Sequence, residues 1–376
     1  MTFKKAIGKI HLWLGLASGL VIIIIATTGC IISFEDEIRS LFFKQSVDLK
    51  EDIRTPKMSL SSLKEIAEQE LNNQYKINRV IIDFSKNKAY AFRTLKINEE
   101  ALTYWGYYQY YYMVYVNPYT GKVIAIENKN NFFSIVLGLH THLLLGEKIG
   151  KQISGYSTLL FFVSLFSGLF LWLPKKRTFK NISKRLKLKY TTNVKRLTYD
   201  LHNVLGFYVL IPLLMVSFTG LIWTFKNVDY YTQYTLNGFK AIEKAELPKS
   251  KIPKNKSLVT ATPDIAFNYV QTNFPKTDRL YINFPKKTDA PLTIFAYTDK
   301  VFYKSNQILF DQYSGNVIKT ISYKDKNASE KFRNMIYDLH TGSFLGITGR
   351  LLVFIASLLA ISLPITGFMI YLNKNK

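Results

Sequence analysis

Four long apolar segments limit what this 376-residue chain can fold into more than any other feature of its sequence. None of them contains an Asp, Glu, Lys or Arg, and they cover residues 10–34, 154–173, 201–225 and 351–372. A helix of about 20 apolar residues is long enough to cross the hydrocarbon core of a bilayer. Pro212 and Pro364 lie inside two of the segments, which membrane helices tolerate when neighbouring helices satisfy the freed carbonyl. The sequence therefore predicts an α-helical membrane bundle with four transmembrane helices.

The distribution of basic residues predicts the orientation. Lys4, Lys5 and Lys9 precede the first segment, and the connection 174–200 holds ten Lys or Arg residues against one Asp. The chain also ends in Asn-Lys-Asn-Lys. Short basic connections stay in the cytoplasm. We therefore expect a multi-pass protein of the bacterial inner membrane with both termini cytoplasmic, and with its two long connections in the periplasm.

Composition excludes several classes of function. The chain has 50 Lys and Arg residues against 26 Asp and Glu. Such an excess of positive charge can attract nucleic acid, but membrane topology explains it here, and neither zinc-finger spacing nor a glycine-rich phosphate loop occurs. With Cys30 as the single cysteine, disulfides within the monomer, Cys-x-x-Cys-His attachment and cysteine-bound iron–sulfur clusters are excluded. Any metal or redox site must use the five histidines or carboxylates.

The N-terminal segment could alternatively be a lipoprotein signal peptide, because Cys30 follows a basic start and an apolar run. Against this, Thr27 occupies a position where such signals prefer Leu, and the apolar run continues past the cysteine to Phe34. The segment also matches an internal segment of the chain that cannot be a signal. We therefore expect it to remain as the first transmembrane helix.

The chain contains an internal repeat. A shift of 191 residues aligns the first and third apolar segments without a gap, and a shift of 200 aligns 139–141 with 339–341. The external connections also match, because 117–124 and 311–318 both predict a strand, a tight turn at glycine and a second strand. Each half therefore runs out of the cytoplasm, through an external domain and back. Two parallel repeats of this kind are related by a pseudo-twofold axis along the membrane normal.

Four of the five histidines match each other in the repeat: His11 with His202, and His140 with His340. Residues near the axis face their counterparts at the same depth, so the sequence predicts one histidine pair near each membrane face. Haem iron takes axial imidazoles from facing helices, and two pairs predict two haems. A lone interfacial histidine would more often be a polar anchor. Zinc fits less well, because two nitrogens leave its tetrahedron half empty.

Three further residues are candidates for the cofactor site. Gly15 and Gly206 lie four residues after His11 and His202, on the same helix face. They could leave a hollow for a flat ring, or allow close helix contact. His142 aligns with a glycine in the repeat. It could be a surface residue, a partner for a haem propionate or a substitute ligand for His140.

The histidine segments resemble those of the PepSY-associated transmembrane family, which includes iron-regulated and siderophore-reductase-type membrane proteins. The motifs are His-Leu-Trp-Leu-Gly-Leu at His11, Leu-His-Thr-His-Leu-Leu-Leu-Gly at His140, Asp-Leu-His-Asn-Val-Leu-Gly at His202 and Asp-Leu-His-Thr-Gly-Ser-Phe-Leu-Gly at His340. The turns Tyr-Thr-Gly-Lys-Val and Tyr-Ser-Gly-Asn-Val look like the ends of PepSY modules at 57–128 and 257–322. The resemblance implies b-type haem and, for some members, reduction of ferric siderophores in the periplasm. PepSY modules elsewhere inhibit or regulate peptidases.

The predicted fold is thus a four-helix membrane bundle of two parallel repeats, with two periplasmic α+β PepSY-like domains. The first half has a transmembrane helix (1–34), a PepSY-like domain (35–130) and an interfacial segment with the second transmembrane helix (131–173). A basic cytoplasmic loop (174–200) follows. The second half has the third transmembrane helix (201–225), a second PepSY-like domain (226–335) and an interfacial segment with the fourth helix and a cytoplasmic tail (336–376).

The functional hypothesis is a membrane-bound oxidoreductase. Electrons would enter at a haem between His11 and His202, reach one between His140 and His340, and reduce a periplasmic iron chelate or siderophore. No flavin or nicotinamide fingerprint occurs, so the donor would be a membrane quinol or a separate reductase. The tyrosine-rich segment 104–115 could contact the acceptor, or be an ordinary aromatic strand. The alternatives are a non-enzymatic, membrane-tethered PepSY regulator and a metal or siderophore transporter.

Overall fold

The computed structural model of this chain describes residues 2–42, 49, 56–84, 88–189, 193–242, 246–252 and 262–374. The helices are α1 (Phe3–Ser33), α2 (Glu35–Phe42), α3 (Leu60–Glu70), α4 (Tyr104–Tyr107), α5 (Phe132–His142), α6 (Glu147–Trp172), α7 (Phe179–Arg185), α8 (Val194–Tyr208), α9 (Leu210–Thr224), α10 (Lys226–Leu236), α11 (Thr262–Asn273), α12 (Ala328–Thr341) and α13 (Gly346–Lys374). The strands are β1 (Arg79–Asp83), β2 (Tyr90–Ile97), β3 (Tyr108–Val116), β4 (Val123–Asn128), β5 (Arg279–Asn283), β6 (Leu292–Tyr297), β7 (Ser305–Phe310) and β8 (Val317–Ile321).

Three of the described helices are individually long and apolar enough to cross a membrane: α1, α6 and α13. The segment predicted as a single third helix, 201–225, is instead made of α8 and α9, which bend by 65° at a short break and pass the same test only together. The break falls at Val209, three residues before Pro212. A proline inside a helix removes one hydrogen bond and clashes with the carbonyl four residues earlier, which explains the bend.

The membrane helices pack around one apolar core. Helix α1 lies against both α6 and α13, while α8 contacts α13 and α9 contacts α6. The buried side chains of the core come from α1, α6, α9 and α13, together with Val209 at the break: Ile22, Phe161, Leu165, Val209, Leu210, Leu213, Ala356, Ala360 and Leu363. Pro364 lies within α13 without ending it. A Cβ atom at Gly19 would lie 3.0 Å from the Cβ of Pro364, so glycine permits this close approach of α1 and α13.

The strands form a single eight-stranded antiparallel sheet in the order β4-β3-β2-β1-β5-β6-β7-β8. The sequence predicted two external modules but not that β1 and β5 would pair and join them. The central pair in this join is Ile81 with Tyr281, two residues separated by the same shift that aligns His140 with His340. Residues 85–87 of the first predicted module and 257–261 of the second lie outside the described part of the chain.

One face of the sheet is the core of the external region. Helices α3 and α11 cover this face with fully buried side chains such as Leu63 and Val270, which pack on Val80, Leu280 and their neighbours. The two tight turns predicted at Gly121 and Gly315 are confirmed, since both residues have positive φ, at 71° and 74°. Glycine adopts this conformation without steric cost.

We expect Leu280→Ala to weaken the joined sheet. Leu280 is completely buried on β5, and removing most of such a side chain costs about 2–5 kcal/mol of folding free energy. Hydrogen exchange of the β1 and β5 amides should therefore become faster. Val317→Ala on the edge strand β8 is the control, because Val317 is 36% exposed. Equal exchange in the two variants would argue against a continuous core beneath β1 and β5.

The sheet lies at one end of the bundle. Arg39 on α2 forms an ion pair with Glu127 on β4 at 2.6 Å, and Arg350 on α13 pairs with Glu37 at 2.7 Å. At the opposite end, the Lys4 amine donates to the carbonyl of Leu173 at 3.0 Å. We call these ends the sheet side and the far side.

Candidate functional site

The four repeat-matched histidines meet in two pairs. On the far side, the ring centres of His11 and His202 are 6.1 Å apart, and the ring planes cross at 81°. On the sheet side, the ring centres of His140 and His340 are also 6.1 Å apart, and their planes cross at 75°. We call these the far-side pair and the sheet-side pair. Each pair joins one histidine from each half of the chain, as the sequence predicted.

Backbone carbonyls fix the orientation of two of the imidazoles. Nδ1 of His140 lies 2.9 Å from the carbonyl oxygen of Ile25. Nδ1 of His11 lies 3.1 Å from the carbonyl oxygen of Ser164. A carbonyl oxygen only accepts hydrogen bonds, so Nδ1 holds the proton in both rings. In neutral imidazole the other nitrogen, Nε2, then has a free lone pair.

Threonine hydroxyls fix the other two imidazoles in the same way. Nδ1 of His340 lies 2.8 Å from the hydroxyl of Thr219, and Nδ1 of His202 lies 2.9 Å from that of Thr366. Both hydroxyls already donate to carbonyls of their own helices, at 2.9 Å to Met215 and 2.7 Å to Ser362. They therefore accept from Nδ1, and Nε2 is free in all four histidines.

Each imidazole also rests against a glycine of a neighbouring helix. A Cβ atom added at Gly29 would lie 3.2 Å from Cε1 of His140, and one at Gly220 would lie 3.6 Å from Cε1 of His340. On the far side, a Cβ at Gly168 would lie 3.2 Å from Cε1 of His11, and one at Gly367 would lie 3.3 Å from that of His202. The glycines therefore leave the space that the rings occupy.

The residue before each of these glycines is a serine or threonine that contacts the same ring. These dipeptides are Thr28-Gly29, Ser167-Gly168, Thr219-Gly220 and Thr366-Gly367. The internal repeat aligns Gly29 with Gly220 and Gly168 with Gly367, but the sequence alone assigned these glycines no role. The signal that could have identified them is a hydroxyl residue followed by glycine in every apolar segment.

The glycines that were predicted have different surroundings. A Cβ atom at Gly15 would meet nothing within 4 Å, so the space beside it is open, whereas one at Gly206 would lie 3.4 Å from Cδ2 of Leu363. Whether Gly15 and Gly206 border a bound ring stays a prediction.

A cavity of about 490 Å³ surrounds the sheet-side pair. Apolar side chains of the membrane helices form most of its wall, among them Ile22, Leu213 and Val353. Its rim towards the sheet is polar and includes Tyr107, His142, Glu147 and Lys151. Sites for small molecules and cofactors typically have a volume of this size, and their walls are mostly apolar with a few polar groups.

His142 does not join either pair. It is buried beside Tyr104 and Tyr107, with ring-centre distances of 5.8 and 5.9 Å. Its Nδ1 has no hydrogen-bond partner among the described residues, and burial lowers the pKa of its imidazole. His142 therefore lies in the cavity wall beside two tyrosines and belongs to neither pair.

The tyrosine-rich segment 104–115 forms the short helix α4 and most of strand β3. Its strand character agrees with the second of the two interpretations from the sequence. Tyr107 and Tyr108 nevertheless line the cavity, so this part of the segment also reaches the site.

The two imidazoles of each pair could hold one metal ion between them. When two imidazoles bind opposite sides of one metal ion with bonds of about 2.0 Å, their ring centres lie roughly 6 Å apart, as in both pairs. Among the described residues, no three His, Cys, Asp or Glu side chains cluster closely enough to hold a metal ion. The remaining coordination positions would have to come from the cofactor itself, as in haem.

The fold and site define a class: a helical membrane protein with an external antiparallel sheet and histidine pairs inside its bundle. Within that class, this chain belongs to the family described as the PepSY-associated TM region, whose family model matches residues 9–374. A comparison with curated proteins found no match.

Proposed function

We propose that this chain binds two b-type haems, one at each histidine pair, and conducts electrons across the inner membrane. The single observation that supports this best is that Nδ1 of all four histidines contacts a carbonyl or hydroxyl oxygen, which leaves two Nε2 atoms available in each pair. A histidine serving only as a polar anchor has no need of such an arrangement. Bound haem would supply one-electron chemistry at iron.

The residues of the chain would perform three tasks. The imidazoles hold the cofactor at two depths, so that a hydrocarbon core about 30 Å thick is divided into shorter distances. The Ser and Thr hydroxyls and the carbonyls hold the Nδ1 protons, which makes Nε2 a stronger ligand. The mostly apolar cavity wall gives the sheet-side pair a surrounding of low polarity.

The topology that goes with this proposal has four transmembrane spans, with α8 and α9 together forming the third. The two halves are parallel repeats, both termini are cytoplasmic, and the two PepSY-like modules that share the sheet are periplasmic. The acceptor would be a periplasmic iron chelate or siderophore, and the donor a quinol or a separate reductase. The alternative, a membrane-tethered PepSY regulator, requires no cofactor.

A pyridine haemochrome assay on protein purified from haem-replete cells tests the proposal directly. We expect haem b at a ratio of about two per chain. Colourless protein would refute haem binding and would favour the regulator. Electron transfer is tested separately in proteoliposomes, with a membrane-impermeant reductant on one side and a ferric chelate on the other.

Thr219→Val should change the redox potential of the sheet-side site. The variant removes the hydroxyl that accepts a hydrogen bond from Nδ1 of His340. Nε2 of the imidazole would then donate its electron pair to iron less strongly, and the ferric form would be less stabilised. We expect the midpoint potential to rise by tens of millivolts. Thr235→Val is the control, because the Thr235 hydroxyl also donates to a carbonyl of its own helix but lies on exposed α10. Equal potentials in both variants would contradict this role of Thr219.

A further inference from the structure

The sheet face opposite α3 and α11 carries a small apolar cluster around Ala91 and Tyr115, with polar side chains beside it. Alternate residues of a strand point to opposite faces, so Arg79 on β1 and Arg93 on β2 lie on this face, while Val80 and Phe92 point into the core. Arg79 and Arg93 are direct cross-strand partners in the register of the sheet. Two like charges held directly opposite each other destabilise a sheet.

Neither guanidinium has a carboxylate partner among the described residues. The Arg79 guanidinium donates to the side-chain oxygen of Asn283, and that of Arg93 lies 3.4 Å from the side-chain oxygen of Asn78. These amide oxygens are neutral, so no described carboxylate compensates either positive charge. Burial, and secondly the charge of Arg79, lower the pKa of Arg93 to about 10.

Two of the carboxylates in this region form ion pairs with other arginines. The third arginine of this face, Arg279, has Asp83 at 3.4 Å and also interacts with Asp36. Glu127 forms its ion pair with Arg39 at 2.6 Å. Among the described residues, carboxylates therefore pair with other arginines in this region, and none forms an ion pair with Arg79 or Arg93.

The arginine pair is close to the histidine cavity. Arg93 lies near enough to Tyr108 for its charge to affect the pKa of the phenol, and Tyr108 lines the cavity at the sheet-side pair. Arg79 lies over the ring of Tyr281 at 5.3 Å. Tyr281 and Tyr337 line a second cavity of about 410 Å³, and Tyr337 also lines the first.

We propose that Arg79 and Arg93 bind an oxyanion ligand, namely a soluble iron chelate with several negatively charged oxygens such as carboxylates. Guanidinium groups donate paired hydrogen bonds to such oxygens, and the ligand charge would remove the repulsion between the two arginines. Its role as the electron acceptor rests on the proposed function, but binding of the anion does not. A phospholipid phosphate offers the same chemistry and must be distinguished.

Binding is tested with the full chain in phosphatidylcholine nanodiscs and gallium(III) citrate, an anionic chelate that resists reduction. We expect saturable binding by calorimetry, and Arg93→Gln should weaken it by about tenfold or more. Arg93→Lys, which keeps the charge, should restore part of the affinity. Arg333→Gln is the matched control, since Arg333 is 61% exposed and pairs with Asp229 at 3.2 Å. Equal affinity in Arg93→Gln and Arg333→Gln would overturn the proposal.

Thermal stability separates a binding role from a structural one. If Arg93 serves a ligand, Arg93→Met should leave the melting temperature of the ligand-free protein unchanged or raise it, because the repulsion with Arg79 disappears. A clear decrease would assign Arg93 a structural role and overturn the proposal.

A lipid occupant is tested by repeating the titration in nanodiscs containing phosphatidylglycerol. Unchanged binding of gallium citrate supports a soluble anion. Two results together would identify a lipid as the ligand and overturn the proposal of a soluble ligand. Gallium citrate binding would be lost, and phosphatidylglycerol would copurify with the unsubstituted chain but not with Arg93→Gln. Haem content is measured on the same samples. Anion binding without haem would refute the proposed function but not this inference. Haem without anion binding would refute this inference but not the proposed function.

Discussion

His340→Ala should reduce the haem content from about two per chain to about one, the largest effect expected of any single substitution. The variant removes one of the two imidazoles whose ring centres lie 6.1 Å apart in the sheet-side pair. His140 alone cannot supply both axial ligands, and no other described histidine lies opposite it. His11→Ala should remove the far-side haem in the same way. Pyridine haemochrome stoichiometry measures both, and the double variant should be colourless.

His142→Ala is the matched control for this experiment. His142 lies in the wall of the same cavity, but its ring contacts are Tyr104 and Tyr107 rather than a second histidine. We expect this variant to keep both haems. If His142→Ala lost one haem and His140→Ala kept both, His142 would be the ligand and the pairing in the structure would be wrong for the sheet side.

Gly29→Val should abolish the sheet-side haem while all four histidines remain. Even a Cβ atom at Gly29 would lie 3.2 Å from Cε1 of His140, and the branched side chain of valine adds two more atoms. The imidazole must then move out of line with His340. We expect a loss of about one haem per chain, measured by the same assay, and a smaller loss for Gly29→Ala.

Gly8→Val on the same helix is the control for Gly29→Val. A Cβ atom at Gly8 would lie 3.9 Å from Cδ2 of Leu171, an ordinary contact. Gly8 lies one turn before His11 at the far-side end of α1 and does not contact the sheet-side pair. This variant tests whether valine in place of glycine on α1 is harmful in itself. Full haem content in Gly29→Val would show that the imidazole does not need the space that this glycine leaves.

The membrane helices and the histidine pairs could be predicted because the long apolar runs and the internal repeat are visible in the amino-acid sequence. The repeat placed His11 opposite His202 and His140 opposite His340, and the structure brings both pairs together. The bend at Val209 was missed because a proline inside an apolar run is compatible with both a straight and a broken span.

Other features depend on contacts between distant segments. The β1–β5 pairing is a choice between two sheet edges, and the edge residues alone do not specify their partner. The Thr28-Gly29 and Thr219-Gly220 dipeptides were visible as repeats, but only their position beside His140 and His340 reveals a role. The Arg79–Arg93 pair likewise depends on the strand register. A shift of the register by one residue would move the side chains of a strand to the opposite face of the sheet.

The pairing of Ile81 with Tyr281 at the centre of β1 and β5 has a consequence for how the two halves associate. A strand that pairs antiparallel with its own counterpart is how isologous homodimers join their sheets. The two proposed repeats would then have the architecture of a symmetric dimer whose subunits have been fused. Halves expressed as two separate polypeptides, divided within 174–200, should therefore find each other and rebuild the sheet.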